Sequence, residues 1–379
     1  MKVAILTWND RSKYLYELFS SSELYQVVAV LETDYHLWGD NVGKNHMVSS
    51  AGRVMNQYEK RAFEKFVLPS MDGGTDDVYR DLMEFYHVAE EDFLYAPNDI
   101  FCNPLLSEEE KLSRICLYRD NRELDSLEVH VADHCNLRCK NCTMMANLVE
   151  HPVFPDFEET MEGVRKARTF FDHVKIFRIL GGEPLLNPEL EKYIDSIREI
   201  YPYTDLRLVT NGCLIPAASR SLFECLRRNR VNLYISYYKI SADYMEEVHA
   251  ILNQWEISHY ITKTVTSFQK VYNLAGDTDR DFSFESCIWR KHGCETLKGH
   301  EISVCFVPTV IHYLREHFHL DIPDDGRLDL FQPGLTTQEI RDFLSHPFET
   351  CRFCALRGHF EKWELLDRVT REELSSWSI

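Results

Sequence analysis

No apolar run in this chain approaches the roughly 18 residues that a membrane-spanning helix needs, so no membrane role is expected. Positive charge is also short. Lys and Arg number 42 against 61 Asp and Glu, for a net charge of −19 at pH 7. That balance repels a phosphate backbone and argues against a nucleic-acid partner. The opening run Met1–Thr7 turns polar too soon for a secretory signal, and a cytoplasmic protein is expected. A glycine-rich phosphate loop is missing as well. Trp8-Asn9-Asp10-Arg11 follows the opening strand. A dinucleotide needs G-x-G-x-x-G there, for the tight turn and close approach of backbone to pyrophosphate. Dinucleotide binding in the usual mode is therefore not expected.

Cysteine is what the chain has in plenty, with 12 of 379 residues. Unpaired thiols buried in a core are one reading. A disulfide scaffold fits poorly with a long chain and no secretory signal. Their grouping argues for ligation instead. Cys135, Cys139 and Cys142 stand in the run Asp133-His134-Cys135-Asn136-Leu137-Arg138-Cys139-Lys140-Asn141-Cys142. The spacing C-x3-C-x2-C folds three thiolates around one small object. Three is one short of the four that an all-cysteine [4Fe–4S] cluster takes, which leaves one iron open to a small molecule. Cys287, Cys294, Cys305, Cys351 and Cys354 form a second group in the last quarter, and Cys102, Cys116, Cys213 and Cys225 are scattered.

The expected fold class is α/β. Residues 1–100 read as a Rossmann-like βαβ unit, with strands Val3–Thr7 and Tyr25–Glu32 around a helix at Ser12–Ser20. Phe66–Pro69 reads as a further strand and Val78–Tyr86 as a helix. Residues 101–126 read as a connection with a short helix starting at Ser107. From Leu127 strands and helices alternate, which implies a parallel sheet. Strands are expected at Leu127–Ala132, Val174–Leu180, Leu206–Val209, Val231–Ile235 and Ile257–Val265. Helices are expected at Pro155–Phe171, opened by Asp156, and at Ser241–Trp255. A helix after Asn187-Pro188 is expected with Asn187 as its N-cap. The cysteine loop, Gly181-Gly182-Glu183-Pro184 and Thr210-Asn211-Gly212 each follow a strand directly, which gathers them on the rim where barrels carry their chemistry.

The cysteine triplet followed about one βα unit later by Gly-Gly-Glu-Pro resembles the radical S-adenosylmethionine (AdoMet) family. The resemblance implies a partial (β/α)6 TIM-type barrel over 127–280. It implies a [4Fe–4S] cluster on Cys135, Cys139 and Cys142, and AdoMet as co-substrate, cleaved to a 5′-deoxyadenosyl radical that abstracts hydrogen from substrate. Gly181 and Gly182 allow close backbone approach, and Glu183 is a candidate partner for the methionine ammonium. Asn211 and Ser236, at strand ends, are candidates for ribose contacts or for turn and cap positions. The family often has an aromatic residue before the third cysteine; this chain has Asn141. Residues 281–379 resemble twitch or SPASM-type extensions, which carry auxiliary clusters. Cys294, Cys305, Cys351 and Cys354 are the expected ligands of a second [4Fe–4S] cluster, with Cys287 able to replace Cys294. A structural zinc ion on four cysteines is the alternative.

The stretches Val209–Gly212, Ile235–Tyr238, Gly276–Asp279 and Phe348–Cys354 resemble uncharacterised radical enzymes found with polysaccharide genes. A carbohydrate or sugar-nucleotide substrate follows from that likeness, with epimerisation, oxidation or elimination as outcomes. A low-potential donor such as flavodoxin or ferredoxin is the implied partner. Cys213, next to Thr210–Gly212, is a candidate hydrogen donor to a substrate radical or else a packed core thiol. The rival readings are a peptide-modifying maturase and a non-catalytic iron–sulfur or zinc interaction protein.

Overall fold

The computed structural model describes residues 1–43, 46–69, 75–118, 121–240, 244–355 and 358–379. It divides into two compact units, Met1–Glu123 and Leu124–Ile379.

The first unit holds a seven-stranded sheet. Its strands are β1 (Lys2–Leu6), β2 (Gln26–Leu31), β3 (Asn41–Val42), β4 (His46–Ser49), β5 (Lys65–Leu68), β6 (Phe93–Tyr95) and β7 (Cys116–Leu117), in the order β3-β4-β2-β1-β5-β6-β7. Strands β4, β2, β1, β5 and β6 run parallel, and β3 and β7 are antiparallel edges. Chain order reverses at β1, as in Rossmann-type sheets. The crevice at that reversal satisfies its own polar groups. Asn9 Oδ1 accepts from Arg11 N and Ser12 N, both at 3.0 Å, and so caps the helix Asp10–Ser20. Glu32, at the end of β2, accepts from the main-chain N–H groups of Trp8, Thr33 and Asp34 at 2.7–3.0 Å.

The second unit is built on an eight-stranded sheet in the order β12-β11-β10-β9-β8-β14-β15-β16. Its strands are β8 (Glu123–Ala132), β9 (His173–Gly181), β10 (Asp205–Thr210), β11 (Asn232–Ile235), β12 (His259–Ile261), β14 (Thr296–Lys298), β15 (Glu301–Ser303) and β16 (Leu328–Asp329); β13 (Ser267–Gln269) pairs with β17 (Phe360–Lys362) in a separate antiparallel ribbon. Strands β8 to β12 lie side by side in chain order, with β9 to β12 parallel. That is the winding of a barrel rather than of a doubly wound sheet. Helices Phe157–Phe170, Leu190–Ile200, Arg220–Arg228 and Tyr244–Gln254 separate these strands. Leu127, Val129 and Val131 of β8, Phe177 and Ile179 of β9, and Leu206 and Leu208 of β10 share one apolar core with helix residues such as Met161, Val164, Ile194 and Ile197. The alternate residues of each strand therefore turn to the other face of the sheet.

Three details differ from the pattern read in the sequence. The strand expected over Ile257–Val265 is only His259–Ile261, and the following β13 leaves the sheet for β17. The sixth parallel strand is β14, which pairs with β8 on the opposite side of the sheet. Asn187 does not cap a helix. Its Nδ2 donates to Val131 O at 2.6 Å and its Oδ1 accepts from Glu189 N at 2.7 Å, so Pro188 and Glu189 form a turn and the helix begins at Leu190. The side chain is better used bridging the β9 rim to β8 than closing a helix end. Ser241, the expected start of the next helix, lies outside the described residues; that helix is described from Tyr244.

Candidate functional site

The cysteine loop leaves β8 at Asp133 and is held by main-chain contacts on two sides. On the first, Gly182 N donates to Ala132 O at 2.6 Å and Glu183 N to His134 O at 3.0 Å. Both glycines are required by this approach. Gly181 has φ +145°, and a Cβ on it would lie 2.1 Å from Ala132 O; a Cβ on Gly182 would lie 2.1 Å from His134 O. On the second side, Lys140 N donates to Glu364 O and Leu366 N to Arg138 O, both at 2.8 Å.

Within the loop the three thiols bear on one another electrostatically. Cys139 and Cys142 both act electrostatically on Cys135, and Cys142 acts on Cys139. Burial pushes the Cys135 and Cys139 thiols up to about 12. Burial raises the Cys142 thiol as well, with nearby main-chain N–H groups acting in the opposite sense; Met145 N donates to the Cys142 carbonyl oxygen at 3.1 Å. Leu137 N donates to Cys135 Sγ at 3.4 Å. Sulfur atoms supplied with N–H donors suit cluster ligation. The loop also carries two buried acceptors, Asn141 Oδ1 and Asn147 Oδ1, without partners.

Glu183 is fully buried. Its carboxylate accepts from Thr210 Oγ1 at 2.7 Å, Leu185 N at 3.1 Å and Asn211 N at 2.9 Å. Burial raises its pKa to about 7. These contacts tie the Gly-Gly-Glu-Pro turn to the end of β10. Asn211 continues the connection, since its Nδ2 donates to Asn136 Oδ1 at 2.7 Å and to Cys135 Sγ at 3.6 Å. Ser236 N donates to Thr210 O at 2.9 Å, which places Ser236 on the same rim. Cys213 is half-buried beside this cluster, acts on Cys139, and is pushed up to about 11 by burial.

Two aromatic residues complete the site without having been singled out from sequence. All three thiols of the loop bear on Tyr238, whose ring stacks with Trp363 at 5.4 Å between centroids. Tyr238 lies two residues past Ser236, on the same strand-end segment, and that position was the available signal. Trp363 comes from the distant segment that holds the loop, where no local pattern marks it.

The C-terminal cysteines gather differently from the expected set. Cys287, Cys305, Cys351 and Cys354 line one cavity with Phe284 and Phe348. Cys294 is not among its lining residues. Burial raises Cys294, whose further electrostatic neighbours are Glu128, Arg178, Glu295 and, last, Cys287. The reason is the path of the chain. Cys294 lies just before β14, which is locked onto β8, whereas Cys287 ends the helix Arg280–Ser286, which packs against residues 349–353. Among the described residues, no three His, Cys, Asp or Glu side chains are drawn together around a single metal ion. A zinc site would need ligand sulfurs at about 2.3 Å from one point; a four-iron cluster is a larger object.

Residues 129–259 match the Radical SAM superfamily. The chain carries a Radical SAM domain. Similar proteins include the GTP 3',8-cyclases of Thermodesulfovibrio yellowstonii (32% identity over 117 residues, 30% of this chain and 36% of that protein) and Pelotomaculum thermopropionicum (35% over 115 residues, 30% and 35%). This chain thus spans about a third of the length of these relatives. Among solved structures, BtrN in complex with AdoMet and 2-DOIA is 15% identical, with TM-score 0.40, covering 63% of this chain and 96% of that one. The AdoMet-bound anSMEcpe is 18% identical, with TM-score 0.32, covering 38% and 43%. The Radical SAM family implies a [4Fe–4S] cluster and AdoMet.

Proposed function

We propose that this chain is an AdoMet-dependent radical enzyme with two cysteine-held clusters. The observation that carries the reading is the gathering of Cys135, Cys139 and Cys142 on one strand-end loop, beside the Gly181–Glu183 turn and Asn211. Three thiolates would hold a [4Fe–4S] cluster with one iron left for the amino and carboxylate groups of methionine. A reduced cluster held there would supply a low-potential electron for cleaving the sulfonium C–S bond, since cluster potentials reach about −700 mV. Gly181, Gly182 and Glu183 act as positioning residues: the glycines admit the loop and the glutamate fixes Asn211 against it. Asn211 and Ser236 remain the candidates for ribose, and Tyr238 with Trp363 walls the thiols from bulk water.

The second cluster is proposed on Cys287, Cys305, Cys351 and Cys354, with Cys294 left out. The substrate proposed is a carbohydrate or sugar nucleotide. Its support is the likeness of four segments, from Val209–Gly212 to Phe348–Cys354, to radical enzymes found with polysaccharide genes. The names of the relatives favour a second reading, a nucleoside triphosphate. Cys213 is held as a neutral thiol at the rim, the form a hydrogen-atom donor requires. Donation to a substrate carbon would make the reaction an epimerisation, and the sulfur radical left behind would take an electron from a flavodoxin or ferredoxin and a proton from solvent. If Cys213 does not donate, oxidation or elimination remains, with the second cluster as the acceptor of an electron.

The test is anaerobic reconstitution of the chain carrying Cys135→Ala, Cys139→Ala and Cys142→Ala. We expect iron to fall from about eight to about four per chain, since each cluster holds four, and formation of 5′-deoxyadenosine to cease. Cleavage of AdoMet that persists in this variant would overturn the reading.

A further inference from the structure

Between the two cysteine groups lies a tyrosine with no task in the account above. Tyr272 is wholly buried, and its hydroxyl has no hydrogen-bond partner. Leaving a buried hydroxyl unpaired is costly, and native cores contain few such groups. A folded chain that keeps one has a use for it.

The main chain fixes where this ring sits. Residue 272 forms an antiparallel bridge with Cys354. On either side, Ala355 N donates to Val271 O and Asn273 N to Phe353 O, both at 2.8 Å. The segment is thereby stitched to the Cys351–Cys354 turn. Its other edge meets the last residues of the chain: Tyr272 N donates to Trp377 O at 3.1 Å and Ile379 N to Tyr272 O at 3.0 Å. Trp377 is itself fully buried, and its indole Nε1 donates to Cys142 O at 3.0 Å. Tyr272 and Trp377 share one apolar cluster with Met145 of the first cysteine loop and with Cys305 of the second group. The ionisable groups that bear on the phenol are the thiols of Cys354, Cys305 and Cys142, in that order. A phenol carries its proton at neutral pH and so offers a hydrogen-bond donor.

We propose that the Tyr272 hydroxyl donates a hydrogen bond to a sulfur of the cluster held by Cys287, Cys305, Cys351 and Cys354, and sets that cluster's potential. The inference rests on the second-cluster reading given above. A donor on a cluster sulfur withdraws electron density and raises the reduction potential. The second cluster is thereby biased to accept an electron, whereas the first must donate one. Tyr272 is in this sense a positioning residue for charge rather than a group that touches substrate.

Tyr272→Phe removes the hydroxyl and little else. The measurement is an EPR-monitored redox titration, made on the full chain and on a background carrying Cys135→Ala, Cys139→Ala and Cys142→Ala, which retains only the second cluster. We expect unchanged iron content and a shift of the second cluster to more negative potential in both backgrounds. The metal-free protein supplies a second readout. There the hydroxyl has no partner, so Tyr272→Phe should leave the melting temperature unchanged or higher, while the cluster-loaded variant should melt lower than loaded wild type. An unchanged second-cluster potential with full iron overturns the proposal, as does a shift confined to the first cluster. Wild-type protein that binds only about four irons removes the second-cluster reading itself and this inference with it, and the iron count separates that failure from the other two.

Discussion

Cys135, Cys139 and Cys142 occupy one loop of the chain, and main-chain contacts from β9 and from residues 364–366 hold that loop in place. Cys287, Cys305, Cys351 and Cys354 arrive on three separate segments, and side-chain packing brings them together. A group built on one loop inherits its geometry from local spacing and can be recognised before the fold is known. A group built from distant segments inherits it from the packing of helix ends and strand ends, and spacing says little about its membership. The first group should therefore respond to backbone insults near the loop, and the second to the identity of each contributing segment.

The sharpest contrast is between two neighbours in sequence. Cys287→Ala should lower the iron of reconstituted protein from about eight to about four per chain, while Cys294→Ala should leave it at the wild-type level. Loss of iron in the Cys294 variant with retention in the Cys287 variant would reverse the assignment. A smaller effect, confined to the first group, is expected from Gly182→Ala. The new methyl meets His134 O, which is backbone and cannot yield without moving the loop. Overpacking of this kind costs about 1–3 kcal/mol. Calorimetry should show a lower melting temperature, and AdoMet binding should weaken by isothermal titration, with the second cluster's spectrum unaltered. Normal AdoMet affinity would mean that the loop tolerates the shift. Smallest in its effect on AdoMet cleavage is Cys213→Ala, which should form 5′-deoxyadenosine at a rate close to wild type. Coupling is where it should differ. If Cys213 donates the hydrogen, the variant makes 5′-deoxyadenosine from AdoMet in the presence of substrate but not the epimerised product, and unchanged product formation returns Cys213 to packing.

Much of the second unit was legible because its signals are local. The strands ending in the cysteine loop, in Gly181 and in Thr210 appear where the alternation of apolar runs put them, and Asp156 caps the helix Phe157–Phe170 by accepting from Glu159 N. What was not legible depended on partners far away in the chain. The contacts of Glu183 with Thr210 and Asn211 tie its turn to the end of β10, a link that no local pattern marks. Asn187 reads as a helix cap, yet a carbonyl of β8 claims its amide. Cys294 and Cys287 are equivalent by spacing, and only the locking of β14 onto β8 separates them. The strand read over Ile257–Val265 is cut short because β13 pairs with β17, nearly a hundred residues later.

One feature of the first loop bears on how such a protein matures. Two non-glycine residues in left-handed backbone conformation bracket the third cysteine: Asn141 at φ +54° and Met145 at φ +56°. Such a conformation costs roughly 1–2 kcal/mol for an ordinary side chain, and Met gains none of the local hydrogen bonding that excuses Asn. The fold offsets that cost with its own contacts, the main-chain bonds Gly182 N to Ala132 O, Glu183 N to His134 O, Lys140 N to Glu364 O and Leu366 N to Arg138 O that hold the loop. A zinc finger works the other way, since there the metal drives the folding. In this chain the polypeptide carries the preorganisation, so a cluster delivered by the cell's assembly machinery would meet a receptor whose shape is already set.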